Sequence, residues 1–145
     1  MTYLLDTNVV SELRKARAGK ADPTVAGWAA EVPAASLFIS VVTVQELEIG
    51  VLLVERRDTP QGKILRAWLE DHVLPAFADR ILPIDVTIAR RSAALHVPDP
   101  LPIRDALIAA TALVHGLSVV TRDVADFERT GVQVVNPWSL GGRAP

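Results

Sequence analysis

The sequence predicts an α/β fold, a parallel sheet with helices on both faces, and three observations carry that reading. Short runs rich in Val, Ile and Leu recur at Tyr3–Leu5, Leu37–Ser40, Ile81–Ile84, Val119–Thr121 and Val132–Val135. They are short and continuous, as strands covered on both faces are. Helical stretches fill the intervals, and such alternation builds a parallel sheet. Residues 1–140 are expected to form one domain, followed by a frayed tail at 141–145.

The first strand runs straight into Asp6, and a helical pattern starts at once with Val9, Val10 and Leu13. An acid at the carboxyl end of a strand sits where open α/β sheets bind ligands. This helix is expected to reach about Ala18, with Gly19 ending it. Arg14, Lys15, Arg17 and Lys20 crowd its end, where cations complement the helix dipole or contact a phosphate. Asp22-Pro23 opens a short helix, capped by the Asp and started by the Pro, and Trp28 should pack it on the core.

A third helix is expected over about Thr43 to Arg57, with Val44, Leu47, Val51 and Val54 as its apolar stripe. Glu46 lies inside that stripe, and a glutamate there is costly unless paired or metal-bound. Glu48 is rotated by about 200° and faces the other way. Gly50, one turn after Glu46, would permit a close approach. Asp58-Thr-Pro-Gln-Gly reads as a loop, followed by a long helix from Gly62 to Phe77. After the third strand, Asp85 precedes another helix. Val97-Pro-Asp-Pro-Leu-Pro reads as a stiff surface loop. The next helix begins near Ile103 with Asp105 in its first turn, and Gly116 is its expected cap. Ala109 and Ala112 share a side with Asp105, so the helix can press on the sheet there. Asp123 follows the fourth strand, ahead of a helical turn through Asp126 and Phe127.

The chain has no cysteine, which removes disulfides, thiol catalysis and cysteine-ligated zinc and fits a reducing cytoplasm. The three histidines have no ligand-like spacing. No apolar run approaches the length of a membrane span, and the first residues lack the basic start of a signal peptide. The net charge of −2 does not mark a general nucleic-acid binder. Such a partner needs a local basic patch or a metal over the acids.

Asp6, Glu46, Asp85, Asp105, Asp123 and Asp126 are the acids to weigh. An Asp after a strand also serves as a helix cap. If the first and fourth strands are neighbours, however, Asp6 and Asp123 meet, and Glu46 and Asp105 can reach the same end. Carboxylates so gathered cannot all ionise without a cation. Oxygen ligands without His or Cys suit Mg²⁺ or Mn²⁺, and such sites perform phosphodiester hydrolysis.

Four segments carry a resemblance across essentially the whole chain: Leu4 to Asn8, Val44 to Gly50, Asp105 to Ala112, and Thr121 to Phe127. In order and spacing they resemble the motifs of PIN-domain nucleases. The continuation Val9 to Lys15 looks like the VapC-type toxins of bacterial toxin–antitoxin pairs, including the FitB-like branch. The resemblance implies a three-layer α/β/α sandwich with strand order 3-2-1-4-5. It implies metal ligation by Asp6 and Asp105, with Glu46 and Asp123 completing the site or placing the attacking water. Thr7 and Thr121 would hydrogen-bond these carboxylates. Asp85 matches no motif and is read as a cap, and Asp126 as peripheral. The resemblance further implies endonucleolytic cleavage of RNA, a homodimer and a small VapB-like antitoxin. Arg14, Lys15, Arg17, Arg104 and Arg122 would hold phosphates, or pair with carboxylates or with the antitoxin.

Two other classes compete. A phosphatase with Asp6 as nucleophile needs a second Asp two residues on, where this chain has Asn8. A domain that only binds a partner would not need the acids.

Overall fold

A computed structural model describes residues 1–140; the tail expected at 141–145 lies outside the described residues. Five parallel strands form one sheet: β1 (Tyr3–Leu5), β2 (Leu37–Ser40), β3 (Ile81–Leu82), β4 (Ser118–Val120) and β5 (Val134–Val135). Their order is β3-β2-β1-β4-β5, as expected. Tyr3 is in register with Leu37 on one side and Ser118 on the other, and Leu5 with Val120. The chain therefore reverses its winding direction between β1 and β4. Their carboxyl ends open a crevice there, because the connections leave in opposite directions.

The helices are α1 (Thr7–Ala16), α2 (Pro23–Glu31), α3 (Val41–Arg57), α4 (Thr59–Trp68), α5 (Leu74–Ala76), α6 (Val86–Leu95) and α7 (Ile103–His115). They cover both faces of the sheet and give three layers. Adjacent strand residues point to opposite faces, so the core is split in two. Leu5 and Val120 pack with Val9, Leu47 and Val51 from α1 and α3. Leu4 and Val119 pack with Ile108, Ala109 and Ala112 of α7 and with Phe127. Both faces are dry, hence the continuous apolar strands. The alanines of α7 bring its backbone close to the sheet, as anticipated. Trp28 docks α2, its ring edge-on to Tyr3 with centroids 5.2 Å apart.

Several boundaries differ from expectation. Asp58 caps α4 by accepting the Gln61 N–H at 3.1 Å, so Thr59 and Pro60 form its first turn instead of a loop. The pattern is close to that of Asp22-Pro23, with the Pro one position further into the helix. The helix expected up to Phe77 is broken by a π turn at Leu69–Val73. Pro75 has no N–H for the Asp71 carbonyl, so a plain α pattern could not run through it. β3 stops at Leu82, before Pro83, which cannot donate to a ladder. α1 ends at Ala16, and Gly19 (φ +68°) terminates the turn beyond it. Gly116, at φ +70°, ends α7 in the left-handed conformation that glycine adopts freely. The tight glycine is Gly62 and not Gly50. A Cβ on Gly62 would lie 2.6 Å from Glu55 Cα, whereas one on Gly50 would meet nothing within 4 Å. Asp85 is the expected cap, accepting the Ile88 N–H at 2.8 Å.

Candidate active site

Asp6 ends β1 at the reversal point and is fully buried. Its backbone N–H continues the ladder to the Val120 carbonyl at 2.9 Å. One carboxylate oxygen caps α1 by accepting the Thr7 N–H at 2.8 Å. The other accepts the Thr121 hydroxyl at 2.8 Å. A buried ionised carboxylate needs such donors and a counter-charge.

The counter-charge is Arg104, the residue before Asp105. Its Nη2 donates to Asp6 and its Nε to Glu46. Its Nη1 donates to Asp105 at 2.6 Å. Glu46 reaches it from the middle of α3 and also accepts the Thr7 hydroxyl. β1, α3 and α7 thus each supply one carboxylate to one guanidinium. Burial alone would lower the pKa of Arg104, but its bonds to Glu46 and Asp6 outweigh that and hold it above the ordinary arginine value. Burial pushes the Asp105 carboxyl above its ordinary value despite the Arg104 bond, and nearby Asp126 and Asp6 add to the rise.

Asp123 stands one step away. Its carboxylate is exposed and accepts Asn8 Nδ2 at 3.1 Å, and its backbone N–H donates to Thr121 Oγ1 at 3.0 Å. Thr121 therefore couples Asp123 to Asp6 through a single hydroxyl. Asn8 Oδ1 also accepts the Arg122 N–H at 3.3 Å. Asp126 is exposed and near enough to Asp105 to raise its pKa.

The basic residues take separate places. Arg14 lies over the Trp68 ring at 5.8 Å, and Arg122 over Trp138 at 5.2 Å. Lys15 pairs with Glu12. A groove of about 240 Å³ leads from Thr7 and Glu46 to Arg14 and Trp68. A second, of about 490 Å³, continues past Arg14 and Trp68 to Arg17 and His72.

Of the alternatives the sequence leaves open for Arg104, the structure shows pairing with carboxylates, here the site acids themselves. A cation in the first turn of a helix opposes the helix dipole, and that mismatch was the available signal. Asn8 belongs to the first motif, but its contact with Asp123 was not anticipated; the signal was a polar residue beside the apolar Val9 and Val10.

A family model for the PIN domain matches residues 3–133. The chain belongs to the PIN-domain family. The chain is 39% identical to VapC ribonuclease Y4jK of Sinorhizobium fredii, covering 93% of this chain and 96% of that one. It is 37% identical to Toxin FitB of Neisseria gonorrhoeae, covering 93% and 97%. The crystal structure of FitAcB from Neisseria gonorrhoeae superposes with a TM-score of 0.87 at 35% identity, over 96% of this chain and 100% of that one. Within the PIN-domain family the chain is thus of the VapC/FitB kind.

PIN-domain ribonucleases generally use divalent metal ions, and the donor set here suits one. It is all oxygen, it lies at the crevice, and three carboxylates face a single guanidinium, leaving excess negative charge. Among the described residues no three His, Cys, Asp or Glu side chains are grouped to hold an ion as they stand; Arg104 sits in their midst. Among those residues, too, no helix is long and apolar enough to cross a membrane.

Proposed function

We propose that the protein is a metal-dependent endoribonuclease, the toxin of a VapBC-type toxin–antitoxin pair, hydrolysing RNA phosphodiester bonds at Asp6, Glu46, Asp105 and Asp123. The observation that carries this reading is the gathering of Asp6, Glu46 and Asp105 on one cation at the reversal point. The names of the relatives, a ribonuclease and a toxin, point the same way. Asp6 and Asp105 would be the main ligands of Mg²⁺ or Mn²⁺, with Glu46 and Asp123 completing the set. Such an ion supplies an activated water and offsets charge on the leaving oxygen.

The chain's own residues do the rest. The Thr7 N–H and the Thr121 hydroxyl fix both oxygens of Asp6. Asn8 fixes Asp123. Arg14 and Arg17 line the grooves leading from Glu46 and are placed to hold backbone phosphates. Ile49, Leu52 and Leu53 leave an exposed apolar strip on α3, which supports the expected homodimer. The remaining partner is a VapB-like antitoxin, and the setting is cytoplasmic. Residues 1–140 act as one domain in this reading.

The test uses purified protein stripped of antitoxin and an end-labelled RNA. Wild type is expected to cut with Mg²⁺ or Mn²⁺ and not with chelator. Asp105→Asn should melt as a folded protein and not cut. Wild type that cuts no RNA with either ion would overturn the proposal. In cells, expression alone should arrest growth and the cognate antitoxin should restore it.

A further inference from the structure

We propose that Arg104 is a positioning residue and the resident counter-ion of this site: it holds the three carboxylates inward while no metal is bound, and yields its place to a divalent cation. The inference rests on the metal-dependent reading above.

Three observations support it. Every nitrogen of the guanidinium is used on the acids, Nε on Glu46, Nη1 on Asp105 and Nη2 on Asp6. No single hydrogen bond does this; the fork matches three carboxylates from three chain segments. The helix does not favour Arg104 where it stands, since a cation in the first turn of α7 opposes the helix dipole. Finally, it has an exit. The Arg104 side chain is 32% exposed, against 1% for Asp6 and 9% for Asp105. Those two acids are enclosed by the fold, whereas Arg104 and Glu46 reach solvent.

The physical consequence is competition. Three carboxylates gathered without a cation repel one another and would splay. Arg104 keeps them convergent. The same three bonds must be given up before the oxygens can surround an ion, so they weaken apparent metal affinity. A purely structural role predicts the reverse: acids that lose their organiser would bind an ion less well.

That difference in sign is the test. Free Mn²⁺ is followed by electron paramagnetic resonance during titration of the full-length wild type, Arg104→Met and Arg104→Lys. Arg104→Met should bind Mn²⁺ about tenfold tighter or more. Arg104→Lys keeps the charge but cannot fork, and should fall between. The melting temperature without metal should drop in Arg104→Met, and its rise on adding Mn²⁺ should exceed that of wild type. Wild type gives a second readout that needs no variant to fold: the ¹⁵N resonance of Arg104 Nε should shift as Mg²⁺ saturates the protein. Equal or weaker Mn²⁺ binding by Arg104→Met, or a silent Nε resonance during saturation, overturns the counter-ion role alone. Absence of Mn²⁺ binding in all three proteins overturns the metal-dependent reading and this inference with it.

Discussion

Among the described residues two arginines each hold three carboxylates, and the acids around them respond in opposite ways. Arg66 on α4 pairs with Glu48 and Glu55 of α3 and with Glu70, one turn on. Arg104 pairs with Asp6, Glu46 and Asp105. The Arg66 group is open to water, with Glu70 58% exposed, and two neighbouring helices supply it. The Arg104 group is sunk at the crevice and is drawn from β1, α3 and α7. The arginine bond holds the Glu55 carboxyl below its ordinary value, outweighing burial. At Asp105 burial wins and the carboxyl rises. Similar pairings thus form an exposed clasp in one place and an acid pocket at the crevice in the other. What decides is the dielectric around the pair and the number of chain segments that must converge.

The comparison can be broken most severely at Asp6. Asp6→Asn is expected to lower RNA cleavage about a thousandfold, the loss of several kcal/mol of transition-state stabilisation. Arg66→Met should leave the rate unchanged in the same gel assay. Asn8→Ala should reduce cleavage about tenfold to a hundredfold by freeing Asp123, as removal of supporting hydrogen bonds does, with circular dichroism unaltered.

On the clasp side the larger effect comes from packing and not from charge. Gly62→Ala puts a methyl against the Glu55 backbone and should destabilise by about 2 kcal/mol, read by urea denaturation, without touching catalysis. Arg66→Met should lower the melting temperature by no more than about a degree or two, and less in high salt, because exposed ion pairs are screened.

The smallest effect concerns pH and has opposite signs at the two sites. Glu55 has a lowered pKa, so its contribution to stability is present above the ordinary glutamate value and is lost as pH falls through the lowered one. Asp105 has a raised pKa, so its ionised form burdens the fold above that value, and acidification relieves the burden. Metal-free Asp105→Asn should therefore melt roughly 2 °C above wild type near neutral pH. The gap should close as pH falls into the carboxylate range. A gap that widens on acidification would reverse the assignment.

The alternation of strands and helices, and the acids at their ends, were legible because they depend on short-range grammar: an apolar run, an acid at its end, a helix after it; the strand order came only with the family resemblance. Glu46 stood out because its surroundings are apolar, and Glu48 was separated from it by helical phase alone. Pairings across the chain were harder to read: carboxylate pairing was one alternative for Arg104, but which acids it takes was not legible, since it finds Asp6 98 residues away. Asn8 finds Asp123 across 115 residues. Gly62 looked like a loop glycine because its tightness comes from α3, a different element. The π turn was hidden for a similar reason, since Leu69 and Val73 keep helical spacing and only Pro75 betrays the interruption.

Asp6 caps a helix and anchors the acid pocket with the same side chain. Asparagine caps as well as aspartate does, its amide can meet the hydroxyl of Thr121, and a single-base codon change suffices. Inheritance of a silenced copy is therefore easy. A lineage under selection to disarm this gene can do so without a misfolded product, and the disarmed chain would still be made, still assemble and still occupy its partner.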